Sequence, residues 1–425
     1  GFICTGRPKI IEMNEKLNKK MRLSPYILAG WLLDGTAGPI REKAILETRE
    51  QRVCEVRSAR AKDLAREGLL DLSDCTLLPG LVDCHVHLFM SGSADPCVRE
   101  RQLSASFRDA KTTIRKHLSM SMLSGVVALR DGGDRRSHAL RYKREVWTEK
   151  GKTPEVKAAG KAWHAPGRYG RLVGRPPYRN CSLARSIARG QKHADYVKIV
   201  NSGLNSLRVF GKETSPQFRL EDLKRAVLCA HRKGLKVMVH ANGRAPVREA
   251  IESGCDSIEH GFFMGTDNLK KLADEQIIWV PTAFTMEAYA RTLPKESAER
   301  DGARKNLDHQ LDQIRQAKEF GVRIAVGTDA GSLGVHHGEA VREEMRLLIA
   351  AGFSIGEAVR SATSAGAALL GLGRHAGYLR PGSPVTFLAL KAKPEGLLDA
   401  LAAPQEIWVK GIRVSTPGPE WRREP

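Results

Sequence analysis

No apolar run in the chain approaches the roughly 20 residues that a membrane-spanning helix needs, so none of it reads as a transmembrane helix. The opening residues, Gly1-Phe2-Ile3-Cys4-Thr5-Gly6, lack the long apolar core of a secretory signal. The eight cysteines are scattered and include no Cys-x-x-Cys pair, which argues against a disulfide framework or a zinc ribbon. A reducing cytoplasm is therefore the expected location. No Gly-rich dinucleotide fingerprint follows any early strand, which disfavours an open, doubly wound nucleotide-binding sheet.

What the chain has in excess is positive charge, +21 formally. A basic domain can bind nucleic acid through phosphates. Here, however, Lys and Arg are mixed with acidic residues, as in Val341-Arg342-Glu343-Glu344-Met345-Arg346. The densest basic stretch, residues 130–144, has only Tyr142 where a single-strand binding surface would interleave several aromatics. The reading is a solvated basic surface with no nucleic-acid partner, and a bias toward anionic small substrates.

At 425 residues with 41% hydrophobic content, the chain fits an α/β barrel with an appendage. Residues 1–22 are polar and aperiodic, with Met13 and Met21 as alternative starts, and are expected to be a disordered extension. Residues 23–78 carry short apolar runs broken by turn residues, which predicts a small β-sheet. From residue 79 to 373, strand-like and helix-like stretches alternate. Strand candidates include Val126-Val127-Ala128-Leu129-Arg130, Val156-Lys157-Ala158-Ala159-Gly160, Tyr196-Val197-Lys198-Ile199-Val200 and Leu235-Lys236-Val237-Met238-Val239-His240. Ser257-Ile258-Glu259-His260, Ile277-Ile278-Trp279-Val280-Pro281 and residues 322–329 follow. With residues 80–84 as the first, eight parallel strands predict a (β/α)₈ TIM barrel. Residues 374–416 return to strand and turn chemistry and should join residues 23–78 in one composite β-sandwich domain, leaving 417–425 as a tail.

The barrel is expected to open on a pair of histidines. In Leu81-Val82-Asp83-Cys84-His85-Val86-His87, residues two apart on a strand face the same way, so His85 and His87 present two imidazoles to one side. Lys198, His240, His260 and Asp329 fall at or near the ends of later strands. Carboxyl ends of barrel strands share one face, so the six converge on one pocket able to bind metal.

The motifs Leu78-Pro79-Gly80-Leu81-Val82-Asp83-Cys84-His85-Val86-His87, Tyr196-Val197-Lys198-Ile199, Val239-His240-Ala241-Asn242-Gly243, Ser257-Ile258-Glu259-His260-Gly261 and Val326-Gly327-Thr328-Asp329-Ala330-Gly331 resemble the amidohydrolase superfamily, in its prolidase-like and imidazolonepropionase-like branch. The resemblance implies that His85, His87 and Asp329 hold one divalent ion and His240 and His260 a second. It implies too that Lys198 bridges them as a carbamate formed with carbon dioxide. Imidazole and oxygen ligands suit zinc best. The implied reaction is hydrolysis of an amide or peptide-like C–N bond by a metal-activated hydroxide, with Asp329 as the catalytic acid and base. N-acyl amino acids, dipeptides or cyclic amides are the implied substrates, and related enzymes often form homo-oligomers.

Substrate contacts are less specified. His164, Arg168 and Tyr169 lie in the loop after strand three, where related enzymes often carry a Gly-Gly-His-Gly run; Arg168 and Tyr169 stand in two of its places. Arg168, Arg171 and Arg175 could grip a substrate carboxylate, and Asn201 and Asn242 follow metal-bearing strands. His336-His337-Gly338-Glu339 reads as supporting structure at the barrel mouth. Two alternatives stand beside the main reading: a mononuclear cyclic amidase of imidazolonepropionase type, and an inactive barrel scaffold or nucleic-acid-binding protein.

Overall fold

The computed structural model describes residues 23–147, 153–190 and 192–414. The expectations for residues 1–22 and 417–425 lie outside these residues, as do residues 415 and 416 of the expected small domain.

Strands rich in β-branched residues and separated by helices pair in parallel. Leu81–Val86, Val126–Asp131 and Glu155–Ala158 form one run. Tyr196–Val200, Lys236–Ala241, Ser257–His260 and Ile278–Val280 form another. Every residue of Tyr196–Val200 and of Ser257–His260 is buried, as expected of strands covered on both faces. The two runs meet where the third strand breaks at Gly160: Glu155–Ala158 pairs with the second strand, while Ala162–Trp163 pairs with the fourth through Trp163 and Ile199.

On the far side, residues 322–330 lie between the seventh strand and the first. The Trp279 amide donates to the Arg323 carbonyl at 2.9 Å, Cys84 to Val326 at 2.9 Å and His87 to Ala330 at 2.8 Å. The arrangement is of the TIM-barrel type. The expected eighth strand is not a regular one; it makes only isolated bridges, Trp279 to Ile324 and Val86 to Ala330. The buried Asp83 carboxylate supplies the reason. It accepts the Thr328 amide at 3.0 Å and the Thr328 hydroxyl at 2.7 Å, which turns the chain out of the ladder. The helix expected over residues 220–233 is Leu220–Arg232, with Leu223, Ala226, Val227 and Ala230 buried.

Both ends of the chain contribute to a single seven-stranded sheet. Its order is Ile412–Arg413, Glu406–Val409, Phe387–Leu390, Leu69–Pro79, Tyr26–Leu32, Arg41–Arg49 and Arg52–Ser58. The sheet curls back on itself, with Arg52 of its end strand bridged antiparallel to Pro384. The long strand Leu69–Pro79 has two usable edges, parallel to Tyr26–Leu32 on one and antiparallel to Phe387–Leu390 on the other. Ile27, Leu46, Leu77, Phe387 and Trp408 give this region a core of its own. Pro79 and Gly80 lead directly from it into Leu81–Val86, so the sheet fixes the entry of the strand that carries His85.

Candidate metal centre

His85 lies within Leu81–Val86 and His87 just beyond it, while Asp329 sits on the turn that Asp83 creates. The Asp329 backbone adopts φ +58, and its amide donates to the His85 carbonyl at 2.7 Å. A non-glycine residue held there costs about 1–3 kcal/mol, and the hydrogen bond helps to hold it. His85 Nε2 and His87 Nε2 stand 3.5 and 3.4 Å from the same Asp329 oxygen, Oδ1. One ligand atom from each of the three residues lies within 4.8 Å of the others, a spacing that suits a divalent cation.

The opposite imidazole nitrogens are already engaged. His87 Nδ1 lies 2.9 Å from the Gly133 carbonyl, and His85 Nδ1 lies 2.8 Å from Glu259 Oε2. These partners direct each Nε2 toward the cluster and select the tautomer that can bind metal. Close approach of the second strand requires glycine at position 132, where an added Cβ would meet the His87 ring at 2.8 Å.

His240 and His260 complete a ring of imidazoles. The His85 and His260 centroids are 5.0 Å apart, and those of His240 and His260 4.6 Å. His260 Nδ1 lies 2.7 Å from the Thr282 hydroxyl, leaving Nε2 for a ligand. His240 is held the other way: Nε2 lies 3.1 Å from the Gly203 carbonyl, leaving Nδ1. Burial lowers the His85 pKa to about 4 and that of His240 to about 3, each aided by the nearby Lys198 charge. Both are therefore neutral near pH 7 and able to donate lone pairs. Burial alone would raise Asp329, but its hydrogen bond with His87 and its electrostatic interaction with the surrounding imidazoles hold it well below the usual carboxylate range.

Lys198 lies among these groups, 2% exposed, and its Nζ has no hydrogen-bond partner. Burial lowers its pKa to about 8. A buried ammonium with no acceptor is costly, so the amine fits conversion to a carboxylate-like ligand. The donor set as a whole fits divalent metal.

Beneath the cluster runs a buried polar chain that the sequence did not disclose. Arg130, which ends the second strand candidate and opens the basic stretch read as solvated surface, is only 4% exposed. It donates to the Cys84 carbonyl at 2.7 Å, to Ser257 Oγ at 3.1 Å and to Glu259 Oε1 at 2.7 Å. Burial would raise the Glu259 pKa, yet Arg130 and His85 lower it to about 2. The available signal is Glu259 itself, an acidic residue inside the short strand Ser257–His260, one residue before His260.

The predicted substrate residues divide. Tyr169 and Asn242 line the cavity with the six candidate ligands, the Tyr169 ring 5.4 Å from that of His240. Asn242 is committed to the fold: its Oδ1 accepts the Phe262 amide at 3.0 Å. Arg168, Asn201 and His164 do not line it. Arg168 donates outward to the Ser215 carbonyl at 3.0 Å. Asn201 braces the next loop, donating to the Pro246 carbonyl and accepting the Gln217 and Phe218 amides. His164 Nδ1 lies 2.8 Å from the carbonyl of its neighbour Ala165. Arg175 lies over the Tyr178 ring at 4.0 Å, and Arg171 borders a different cavity with Phe89 and Asp134. His337 is buried behind the site, 2.9 Å from the Met90 carbonyl and stacked on His117.

The model of the amidohydrolase family matches residues 76–416 of the chain. Among characterised proteins, the chain is 24% identical to the ochratoxinase of Aspergillus niger, over 92% of this chain and 87% of that one. The solved structure of A. niger ochratoxinase superposes with a TM-score of 0.76 at 21% identity, covering 94% of this chain and 98% of that chain. A solved Xaa-Pro dipeptidase with methionine bound in its active site gives a TM-score of 0.77 at 25% identity, covering 92% of this chain and 99% of that chain. No helix among the described residues is long and apolar enough to cross a membrane.

Proposed function

Because the chain belongs to the amidohydrolase family, we propose that it hydrolyses the C–N bond, amide or peptide-like, of a small substrate such as an N-acyl amino acid or a dipeptide. The observation that carries this reading is the convergence of His85, His87, Lys198, His240, His260 and Asp329 on one cavity. On this reading the parallel strands close as a (β/α)₈ barrel around it. His85, His87 and Asp329 would hold one divalent ion and His240 and His260 a second, with Lys198 carboxylated between them. Zinc suits this nitrogen and oxygen donor set best. Bound there, the ions supply Lewis acidity toward the scissile carbonyl and toward the attacking water.

The chain's own groups do the rest. Asp329, ionised and facing both Nε2 atoms, takes a proton from the water and returns it to the leaving nitrogen. Ser332 donates to its other oxygen, Oδ2, at 2.9 Å and so restrains the carboxylate. Glu259 fixes the His85 ring, and Arg130 fixes Glu259. His85, Lys198, His240 and His260 are buried, which limits water on that side of the reacting centre and strengthens the charge–dipole contacts there.

The test is elemental analysis of the purified protein joined to a hydrolysis screen over N-acyl amino acids, dipeptides and lactams. Near-stoichiometric metal with turnover of at least one class is expected. A metal-free protein with steeply salt-dependent affinity for RNA or DNA would overturn the proposal.

A further inference from the structure

The cavity that holds the candidate ligands is about 270 Å³. That is near the lower end of small-ligand pockets, roughly 300–1,000 Å³, and suits a small molecule rather than a folded chain. Its other wall is apolar: Leu204 and Leu207 come from the loop after the fourth strand, Phe262 follows the sixth strand, and Met286, Tyr289 and Leu293 follow the seventh. Among the described lining residues, none outside the six candidate ligands carries a charge. The arginines that could have gripped a carboxylate are elsewhere, Arg168 on the Ser215 carbonyl and Arg175 on Tyr178.

This wall is built rather than incidental. Phe262, Phe263 and Met286 form a buried cluster separate from the main core, with Leu207, Tyr289 and Leu307 packed against it. The loop bearing Leu204 and Leu207 is pressed onto helix Ala298–Glu319 so closely that a Cβ at Gly302 would stand 1.7 Å from the Leu207 carbonyl oxygen. Asn306 donates to the Ser206 carbonyl at 3.0 Å, and Arg208 pairs with Glu299. The Asn205 amide reaches Met286 Sδ at 3.5 Å, tying the loop to the helix behind it. At the rim the same surface continues outward: Leu204 is 56% exposed and Phe210, edge-on to Phe263, is 50% exposed. Exposed apolar side chains continuous with a cavity mark a binding surface. Because this one runs inward to the ligand cluster, its occupant is the substrate.

We propose that the cavity selects substrates bearing a neutral aromatic or branched aliphatic group, which packs against Leu204, Leu207, Met286 and Tyr289. This rests on the reading of the cavity as a hydrolase site. An ionised group placed there would lose its hydration without gaining a partner. A phenyl or isobutyl group would gain about 10- to 100-fold in affinity over hydrogen.

The test is calorimetric binding to the metal-loaded full chain of four probes: the N-acetyl amides of phenylalanine, leucine, glycine and aspartate. The phenylalanine and leucine probes are expected to bind about 10- to 100-fold tighter than glycine, with aspartate weakest. Leu207→Asp should reduce that preference at least tenfold, and Met286→Ala, a milder change to the same wall, should reduce it by a smaller factor. Equal or tighter binding of the glycine or aspartate probe, or no measurable difference among the four, overturns the inference. Hydrolysis of the same probes is scored separately. Turnover without apolar preference overturns this inference alone, whereas apolar preference without turnover of any amide overturns the hydrolase reading and leaves the apolar subsite standing.

Discussion

The floor of the cavity and its outer wall are held by opposite means. Beneath His85, position is set by charge and directed hydrogen bonds: Arg130 to Glu259 at 2.7 Å, then Glu259 to His85 at 2.8 Å, all within the protein interior. Across the wall, position is set mainly by shape, by apolar side chains and a backbone pressed on Gly302. Its polar ties, Asn306 to the Ser206 carbonyl and Arg208 to Glu299, hold the loop's backbone and rim rather than the lining side chains. A metal-binding cluster needs donor atoms fixed in both distance and direction, which buried charge-assisted bonds provide. A surface that discriminates by bulk needs only a fixed contour. The floor should therefore be intolerant of single changes, and the wall should respond in proportion to volume.

The largest effect is expected on the floor. Asp329→Asn keeps the size of the side chain and part of the metal, but removes the proton carrier, so turnover should fall about 10²- to 10⁴-fold. Undiminished kcat would break the assignment of the cluster.

Next comes Glu259→Gln, which unfixes His85 and leaves Arg130 buried without its counter-charge. Metal affinity, read by chelator competition, should drop about 10- to 100-fold. Stability, read by urea unfolding, should fall by about 3–5 kcal/mol. The same carboxylate sets an acid limb. Its folded pKa is lowered from 4.5 to about 2, so its contribution is complete above pH 4.5 and disappears as pH falls toward 2. Unfolding titrations of the Gln variant should show a shallower loss across that window.

On the wall, Gly302→Ala should cost about 1–3 kcal/mol by forcing the Leu207 carbonyl outward. It should lower selectivity among substrate side chains while metal content stays at the parent level. A loss of metal in that variant would erase the distinction between the two regions. The smallest effect belongs to Arg168→Ala, whose guanidinium serves an exposed carbonyl. Stability should change by no more than about 0.5 kcal/mol, with kcat/KM at the parent value; a marked loss would bring that loop back to the substrate.

The same contrast explains what the sequence discloses. His85 and His87 announce themselves because strand periodicity places residues two apart on one face. Lys198, His240 and His260 follow because apolar strands ending in polar residues are conspicuous in a parallel barrel. The Arg130–Glu259 pair was illegible. Its members are far apart in the chain, and Arg130 opens a stretch of basic residues that otherwise belongs to the surface. The wall was hidden for another reason: Met286 and Tyr289 sit on a short helix where apolar residues look like ordinary core. His164, Arg168 and Asn201 were candidates by position in loops, but loop side chains turn according to local carbonyls and amides, which sequence spacing does not encode. The regular eighth strand failed at Thr328 because a side chain, Asp83, outcompeted the backbone ladder there.

The seven-stranded sheet has a consequence for how the molecule is made. The strand that leads into His85 is paired at Pro79 with Phe387, so one of its edges has no neighbour until the last tenth of the chain exists. At synthesis rates of about 5–20 residues per second, that delay is on the order of 15–60 s. During it, the exposed edge of Leu69–Pro79 is a template for the wrong partner. Nascent chains halted before residue 387 should therefore engage chaperones through this edge, and a cell overproducing the protein should be limited by how well it shields one strand rather than by its metal supply.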